Sequence, residues 1–568
     1  MTDTETKSTP ATAAQPAPPT LRIIPLGGLG EFGMNMMVYE LGDSSIIVDC
    51  GMMFPDSATL GVDAVIPDMS YVFERASNVV GIFLTHGHED HIGAIPFLAG
   101  IVHAPIYGMP LTLGFIEGKF EEFGMKGMVD LRTLTHRTVV EVGPFRVEPI
   151  HVTHSIVDAI ALAITTSIGT IVHTGDFKFD SSPVDHKPTD LARFASLGEE
   201  GVMMLLSDST NAVIDGYSHS ERTVGASLER IFANVTGRVV VTTFASHIHR
   251  LQQIIDAARR YRRKVFLIGR SVVDNVEIAE RLGWIRFPRE VRPGHNKPMD
   301  EEAKDVVIIT TGTQGETTSA LARMALGEHK SVSLQPGDLV IISARTIPGN
   351  EKAIGRVIDN LYRRGADVIH DEVRDIHVSG HACREELKTL LNLTRPRFFI
   401  PIHGGLRQLV HHARLAESAG VRRDNIFVVT NGEVVEMKNG GARILDAPVS
   451  TGKVFVDAQA EEVAEVVLRD RRHLAEDGFV IIVLALDMSS GRLVREPEII
   501  TRGLVHVDAS ADVLGEVREL LSSLLLEIAV EELRDAEAVQ ERIRSMLKRY
   551  FRKKLSRRPM ILPVVWEM

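Results

Sequence analysis

At 568 residues, with 44% hydrophobic and 24% charged residues, the chain is an ordinary globular sequence too long for a single hydrophobic core, so roughly two to four domains are expected. A net charge of −12 excludes a broadly cationic surface of the kind that coats nucleic acid, although one cationic channel is compatible with it. The sequence has no apolar run of about 18 residues and no basic-then-apolar leader, and only two distant cysteines, Cys50 and Cys383, which excludes a membrane-spanning helix and a disulfide framework and points to a reducing cytoplasm.

Residues 1–20 are rich in Thr, Ala and Pro and read as a disordered tail. A short strand is expected over 21–26. Strands follow at 36–41, 45–49, 79–85, 145–151, 160–165, 170–173 and 203–207, joined by short turns. From about 216 to 375 the texture changes. A strand at 238–243 leads into a helix over 248–261, and strands recur at 264–268, 306–310 and 338–343. Alternation of this kind predicts a parallel sheet with covering helices. Residues 376–430 return to the earlier style, with a helix over 382–393 and a strand at 397–402. The simplest account is a first domain over 21–215 and 376–430 with a second domain, 216–375, inserted into it. A linker over 431–455 and a C-terminal domain over 456–568 complete the chain. Strands at 452–456 and 479–485 are expected near the start of that last part. A helix over 513–533 carries Val513, Val517, Leu520, Leu521, Leu524 and Ile528 at helical spacing.

The chemistry-bearing signal is Thr85-His86-Gly87-His88-Glu89-Asp90-His91, placed between an apolar strand and a helix. Three imidazoles and two carboxylates on one strand-to-helix turn can reach around two metal ions. Zn²⁺ and Mn²⁺ take nitrogen and oxygen ligands of this type, and the absence of a nearby Cys suits a catalytic site. Further ligands are expected at other strand ends. Asp49 follows Ile46-Ile47-Val48, His154 lies past the 145–151 strand, Asp176 sits in His173-Thr174-Gly175-Asp176, and His403 follows Phe398-Phe399-Ile400-Pro401-Ile402.

Asp49, the His86–His91 run, His154 and Asp176 resemble the four successive motifs of the metallo-β-lactamase superfamily. The resemblance implies an αββα sandwich in which His86, His88 and His154 hold one ion and Asp90, His91 and His403 a second. Asp176 would bridge them, and Asp49 would orient ligands rather than bind metal. Asp208, in Leu206-Ser207-Asp208-Ser209-Thr210-Asn211, is similar to the first of three further motifs of the β-CASP group. His381, in His377-Val378-Ser379-Gly380-His381, and His403, in Pro401-Ile402-His403-Gly404-Gly405, are similar to the other two. Gly27-Gly28-Leu29-Gly30-Glu31, Thr243-Phe244-Ala245-Ser246-His247-Ile248-His249-Arg250 and Ser343-Ala344-Arg345-Thr346-Ile347-Pro348-Gly349-Asn350-Glu351 resemble the ribonuclease J family within that group. So does the extra C-terminal domain.

The resemblance implies a metal-dependent ribonuclease that works 5′→3′ from 5′-monophosphorylated single-stranded RNA and also cuts internally, in RNA maturation and mRNA decay. Two cations about 3.5–4 Å apart can hold a hydroxide for in-line attack and clamp a phosphate oxygen. The departing ribose oxygen needs a proton, which His381 is placed to give, with Asp208 orienting it. Asp208 could also be a turn residue capping the backbone before Asn211. By resemblance His377, Val378, Ser379, Gly380 and His381 clamp an RNA phosphate, and the backbone amides of Ser379-Gly380, just before a helix, are expected to form an anion site. Ser246 and His247 would help to hold a 5′-terminal phosphate.

A small-molecule hydrolase would leave about 160 inserted residues and His377–His381 without purpose, and a non-catalytic scaffold would not need the metal ligands. Gly28-Leu29-Gly30-Glu31-Phe32-Gly33 matches G-x-G-x-x-G, but two strands follow it where a dinucleotide site needs a helix, so it reads as a turn. His173 is expected to be buried beside the site rather than a ligand. The tail from Arg542 to Arg558 holds nine Lys or Arg and fits RNA contact, a subunit contact or a solvated amphipathic helix. A homodimer through the C-terminal domain and membership of an RNA-degradation complex are expected by resemblance, and no membrane partner is.

Overall fold

The computed structural model describes residues 19–55, 59–347, 350–370, 375–487, 492–504, 510–529, 533 and 535–567. All but two residues of the predicted tail, and Pro348-Gly349, lie outside the described residues. The chain forms two compact units. One comprises residues 1–53 and 66–453, the other residues 54–65 and 454–568.

In the larger unit, alternating apolar strands build two mixed sheets. The first has eight strands, in the order 441–444, 435–438, 20–27, 36–41, 44–48, 79–83, 106–108 and 131–133. The second has six, in the order 398–402, 202–208, 169–173, 160–166, 145–151 and 140–142. Their inner faces share one core. Leu21, Tyr39, Ile46 and Phe83 come from the first sheet, and Phe145, Ile160, Leu162, Leu206 and Ile400 from the second. Behind the second sheet, Val172, Leu205 and Phe399 pack against Phe194 and Leu197 of helix Leu191–Glu200. Leu387, Leu390 and Leu391 of helix Arg384–Thr394, and Leu415 of helix Leu406–Ser418, join them. Burial of a large apolar side chain contributes about 1.5–3 kcal/mol, so these shared faces fix the sandwich.

Between Asp208 and Arg384 the chain adds a five-stranded parallel sheet, in the order Lys264–Ile268, Val306–Thr310, Val239–Thr242, Leu339–Ile342 and Asp367–Ile369. Its strands are near-continuous Val and Ile runs, as expected of strands buried on both faces. Helix Arg222–Asn234 leads into the sheet, and helices Ile248–Arg260, Arg270–Arg281, Ala320–Leu326 and Glu351–Arg363 connect its strands.

The smaller unit centres on strand Phe479–Asp487, which pairs antiparallel with Glu498–Arg502 and parallel with Met560–Glu567. Val480, Ile482 and Leu484 meet Val517 and Leu521 of helix Ser510–Glu527 and Val539, Ile543, Leu547 and Phe551 of helix Ala536–Leu555. The basic tail is thus an amphipathic helix with its apolar stripe buried, and Lys554 Nζ lies 2.7 Å from Glu516. Among the described residues no helix is long and apolar enough to cross a membrane.

Candidate metal centre

Parallel pairing aligns strand ends, and this puts the polar residues that follow each strand on one edge. Strand Ser44–Val48 runs beside Val79–Phe83, so Asp49 emerges next to Thr85-His86, and the Asp49 amide donates to the Phe83 carbonyl at 2.9 Å. In the second sheet, Gly169–His173, Val202–Asp208 and Phe398–Ile402 are mutually parallel, which delivers Asp176, Asp208 and His403 together. Asp49 (φ 61°) and His403 (φ 53°) both take the left-handed conformation that non-glycine residues seldom adopt. Strain of this kind concentrates at functional sites.

Asp176 is the focus. Its Oδ2 lies 3.3 Å from His91 Nε2, 3.4 Å from His403 Nε2, 3.7 Å from His86 Nε2 and 3.7 Å from His154 Nε2. Its Oδ1 is buried and has no hydrogen-bond partner. Three overlapping groups could each hold a cation: His86, His88, His154 and Asp176; Asp90, His91, His403 and Asp176; and Asp176, Asp208, His381 and His403. Within each, the potential ligand atoms lie within 4.8 Å of one another. An orphaned buried carboxylate oxygen common to these nitrogen-rich groups fits the binding of divalent metal.

Most of these imidazoles have their other nitrogen tied down, which sets the ring orientation. His91 Nδ1 is 2.7 Å from Asp49 Oδ2, His154 Nδ1 2.7 Å from the Gly380 carbonyl, and His403 Nδ1 2.9 Å from Asn35 Oδ1. His86 Nδ1 is 3.0 Å from Thr85 Oγ1, which donates in turn to Asp49 Oδ2 at 2.7 Å. Burial, reinforced by neighbouring imidazoles, holds His86 and His154 well below the usual histidine pKa and His88 at about 4, so these rings are neutral and free to bind a cation. Burial also acts to lower His91, but Asp176, Asp90 and Asp49 outweigh it and raise its pKa.

Beside this cluster, His381 Nδ1 is 2.8 Å from Asp208 Oδ2 and 3.9 Å from Asp176 Oδ2. Burial opposes its protonation, yet Asp208, Asp176 and Asp90 push it up to about 9. Asp208 Oδ1 also accepts from the Thr210 amide at 2.9 Å, so the turn-capping geometry and the contact with His381 coexist in one carboxylate. Ser379 Oγ accepts from Asn211 Nδ2 at 2.8 Å, and Val378 is buried. Gly380 has no room for a side chain, since a Cβ there would lie 2.8 Å from the His154 ring.

The helix after His381 begins at Arg384, later than expected. Its first amides are already used, Cys383 by Glu386, Arg384 by the Ile214 carbonyl and Glu385 by the Gly216 carbonyl. These bonds leave the expectation to the Ser379-Gly380 amides alone. An anion there would meet Ser379 and Gly380 ahead of the helix, not the helix amides. Ser246 is half-buried at the start of helix Ile248–Arg260, whereas His247 is buried, 3.4 Å from Glu221 Oε2. His377 is pushed to about 3 by burial and by the Arg250 and His247 charges. His173 is buried beside the site, its Nδ1 2.8 Å from Tyr39 Oη.

Profiles of four families match successive parts of the chain. They are described as metallo-beta-lactamase superfamily (29–242), ribonuclease J, beta-CASP domain (236–361), Zn-dependent metallo-hydrolase RNA specificity domain (366–429) and ribonuclease J C-terminal domain (466–568). Curated relatives include ribonuclease J of Helicobacter pylori, 41% identical over 96% of this chain and 79% of that protein. Ribonuclease J of Thermus thermophilus is 40% identical over 96% and 95%, and ribonuclease J2 of Bacillus subtilis 38% over 96% and 99%. The chain belongs to the ribonuclease J family. It is a metal-dependent ribonuclease, with the metallo-β-lactamase fold, an inserted β-CASP domain and the C-terminal domain of that family. A crystal structure of a protein of unknown function from Enterococcus faecalis V583 shares the fold at a TM-score of 0.52 and 16% identity, over 75% of this chain and all of that one.

Sequence reasoning missed Asn35. Its Nδ2 donates to the Asp90 carbonyl at 3.0 Å while its Oδ1 holds His403, so it joins the two halves of one ligand group. The signal was present in the glycine-rich turn just before it. Gly28 sits at φ 88°, and a Cβ there would lie 2.3 Å from Asn35 Oδ1. The turn is anchored to the site itself, Leu29 and Gly30 pairing with Gly404 and Gly405.

Proposed function

We propose that this ribonuclease shortens single-stranded RNA in the 5′→3′ direction from 5′-monophosphorylated ends, and that the same centre also cuts internally, in RNA maturation and mRNA decay. The observation that carries the phosphodiester chemistry is Asp176, with four imidazole nitrogens within 3.7 Å of one oxygen and the other oxygen orphaned. His86, His88 and His154 would hold one ion and Asp90, His91 and His403 the other, with Asp176 common to both. Two bound Zn²⁺ or Mn²⁺ ions would supply a neutral-pH nucleophile and charge stabilisation of the phosphoryl oxygens.

The protein's own groups do the rest. Asp49, Thr85, Asn35 and the Gly380 carbonyl orient the ligand imidazoles. His381 gives a proton to the departing ribose 3′-oxygen, and Asp208 keeps that ring charged and turned toward the cluster. His377, Val378, Ser379 and Gly380 line the path of the RNA backbone, and Ser246 with His247 receives the 5′-terminal phosphate. Supporting this last reading, His247 and His377 each carry a buried Nδ1 without a partner, and each lies close enough to Arg250 to feel its charge. We also read the enzyme as cytoplasmic and as a homodimer through its C-terminal domain that joins a larger RNA-degradation complex.

The deciding experiment uses one single-stranded RNA with a 5′-monophosphate, labelled at either end, with Mn²⁺ or with EDTA. Early mononucleotide release from the 5′-labelled strand, abolished by EDTA, is the expected result. Defined internal fragments as the first products would instead make endonucleolytic cutting the main mode and overturn the exonuclease reading.

A further inference from the structure

A second concentration of buried charge lies where the inserted domain leaves and rejoins the sandwich. Arg250 is fully buried, and its Nε donates to Glu221, itself 6% exposed. Arg250 Nη1 donates to the carbonyls of Ser343, at 3.2 Å, and Ile376, at 2.9 Å, while Nη2 lies 3.4 Å from His247 Nε2. One guanidinium therefore ties together the first helix of the insertion, the helix carrying His247, the end of strand Leu339–Ile342, and the chain re-entering toward His377. Nearby, the buried Glu386 carboxylate accepts from the amides of Phe179, Ser218 and Cys383, joining the loop after Asp176 to the same junction.

Burying such a pair costs several kcal/mol of desolvation, and well-packed apolar residues often serve stability as well or better. Stability alone is therefore a poor reason for it. What an apolar substitute could not reproduce is the fork. Five fixed donors in a plane set the separation of the groups they hold, and a lysine ammonium does not. The groups held here are His247 and the carbonyl just before His377.

We propose that Arg250, oriented by Glu221, is the positioning residue of the 5′-phosphate pocket. It fixes His247 and the Ile376–His377 backbone at the spacing a terminal phosphate requires, and so sets the preference for monophosphorylated over hydroxylated 5′ ends. Arg250 does not touch the RNA, because its side chain is fully buried. The inference rests on the reading of that pocket given above.

The test compares kcat/KM for two RNAs of one sequence, carrying a 5′-monophosphate or a 5′-hydroxyl. The enzymes are the wild type, Arg250→Lys, and the double variant Glu221→Gln/Arg250→Met, which removes both charges and leaves neither buried alone. Hydrogen bonds to a charged group are each worth about 1.5–3 kcal/mol, so the ratio of the two kcat/KM values should fall about tenfold or more, through KM for the monophosphorylated RNA. Metal content should stay at the wild-type level. A ratio equal to that of the wild type in both variants, with both RNAs slowed alike, would make Arg250 a structural residue only and end the proposal. Should the double variant not fold, Arg250→Lys carries the same comparison. A wild type that does not distinguish the two RNAs would instead remove the pocket reading itself.

Discussion

The Asp176 cluster and the Glu221–Arg250 junction are both made of buried charge, yet they are built on opposite principles. At the junction, the Arg250 and Glu221 charges answer one another, although His247 and His377 each keep a buried Nδ1 without a partner. The Glu221 carboxylate is held well below the ordinary glutamate pKa, because Arg250 and His247 overcome its burial. At the cluster, imidazole nitrogens converge on a carboxylate that has one oxygen left over. A network of paired charges fixes geometry, whereas imidazoles converging on a carboxylate with one unpartnered oxygen can hold a cation. The difference sets the candidate ligand histidines apart from other buried histidines. His173 and His412 are as buried as the candidate ligands, but the Nδ1 of each meets a hydroxyl, Tyr39 or Ser209, and neither belongs to a group that could hold a cation.

The comparison can be broken most forcefully at Asp176. Asp176→Asn keeps the shape but removes the shared negative charge, and the charge stabilisation at stake is several kcal/mol. RNA cleavage should fall by about 10³-fold or more, with bound metal reduced, as read by elemental analysis of the purified protein. Full activity with a full metal complement would show that Asp176 is another satisfied buried group. Next in size is His381→Ala. Loss of a general acid costs about 10²–10⁴-fold in kcat. Because His381 belongs to neither of the two proposed ligand sets, metal content should be unaltered, and its loss along with activity would move His381 from proton donor to ligand.

Much of the cluster was legible in the sequence because its signals are local. An apolar run ending in Asp or His names both the strand and the residue its edge delivers, as at Asp49, Asp176 and His403, and His86–His91 is a single turn. The inserted sheet was visible for the same reason, in Val- and Ile-rich runs separated by helical spacing. What was not legible is pairing across distance. Asn35 and His403 stand 368 positions apart, and Glu386 and Phe179 stand 207 apart, and no period or motif ties them. The helix start at Arg384 was missed for a chemical reason. The residue ahead of it is Cys383, a poor helix cap by propensity, and the turn depends on the Glu386 side chain reaching back to the Cys383 amide.

The junction should fail differently. Glu221→Gln leaves Arg250 buried without its counter-charge, a change that costs about 3–5 kcal/mol of stability. Denaturant unfolding of the wild type and the variant at neutral pH measures this directly. Because the folded-state pKa of Glu221 is depressed, its contribution is fully present above the ordinary glutamate range and is lost as pH falls through the folded value. The two unfolding curves should therefore converge on acidification. A gap that stayed constant with pH would show that the substitution disturbs packing rather than charge.

The smallest of these effects concerns Asn35, where the two principles meet. It is a neutral residue whose amide gives a proton toward Asp90 while its carbonyl oxygen receives one from His403, so it is satisfied itself and yet serves the unsatisfied cluster. Asn35→Ala removes both contacts without altering charge, and losing a partner that orients a metal-binding side chain costs about 10–100-fold in metal affinity or activity. The loss should fall on the Asp90, His91 and His403 group. Metal titration of the variant should then show one ion bound normally and the other weakened about 10–100-fold. If both ions weakened equally, Asn35 would matter to the fold of the glycine-rich turn rather than to one ligand set. The boundary between satisfied scaffold and cation site would then lie closer to Asp176 than the hydrogen bonds suggest.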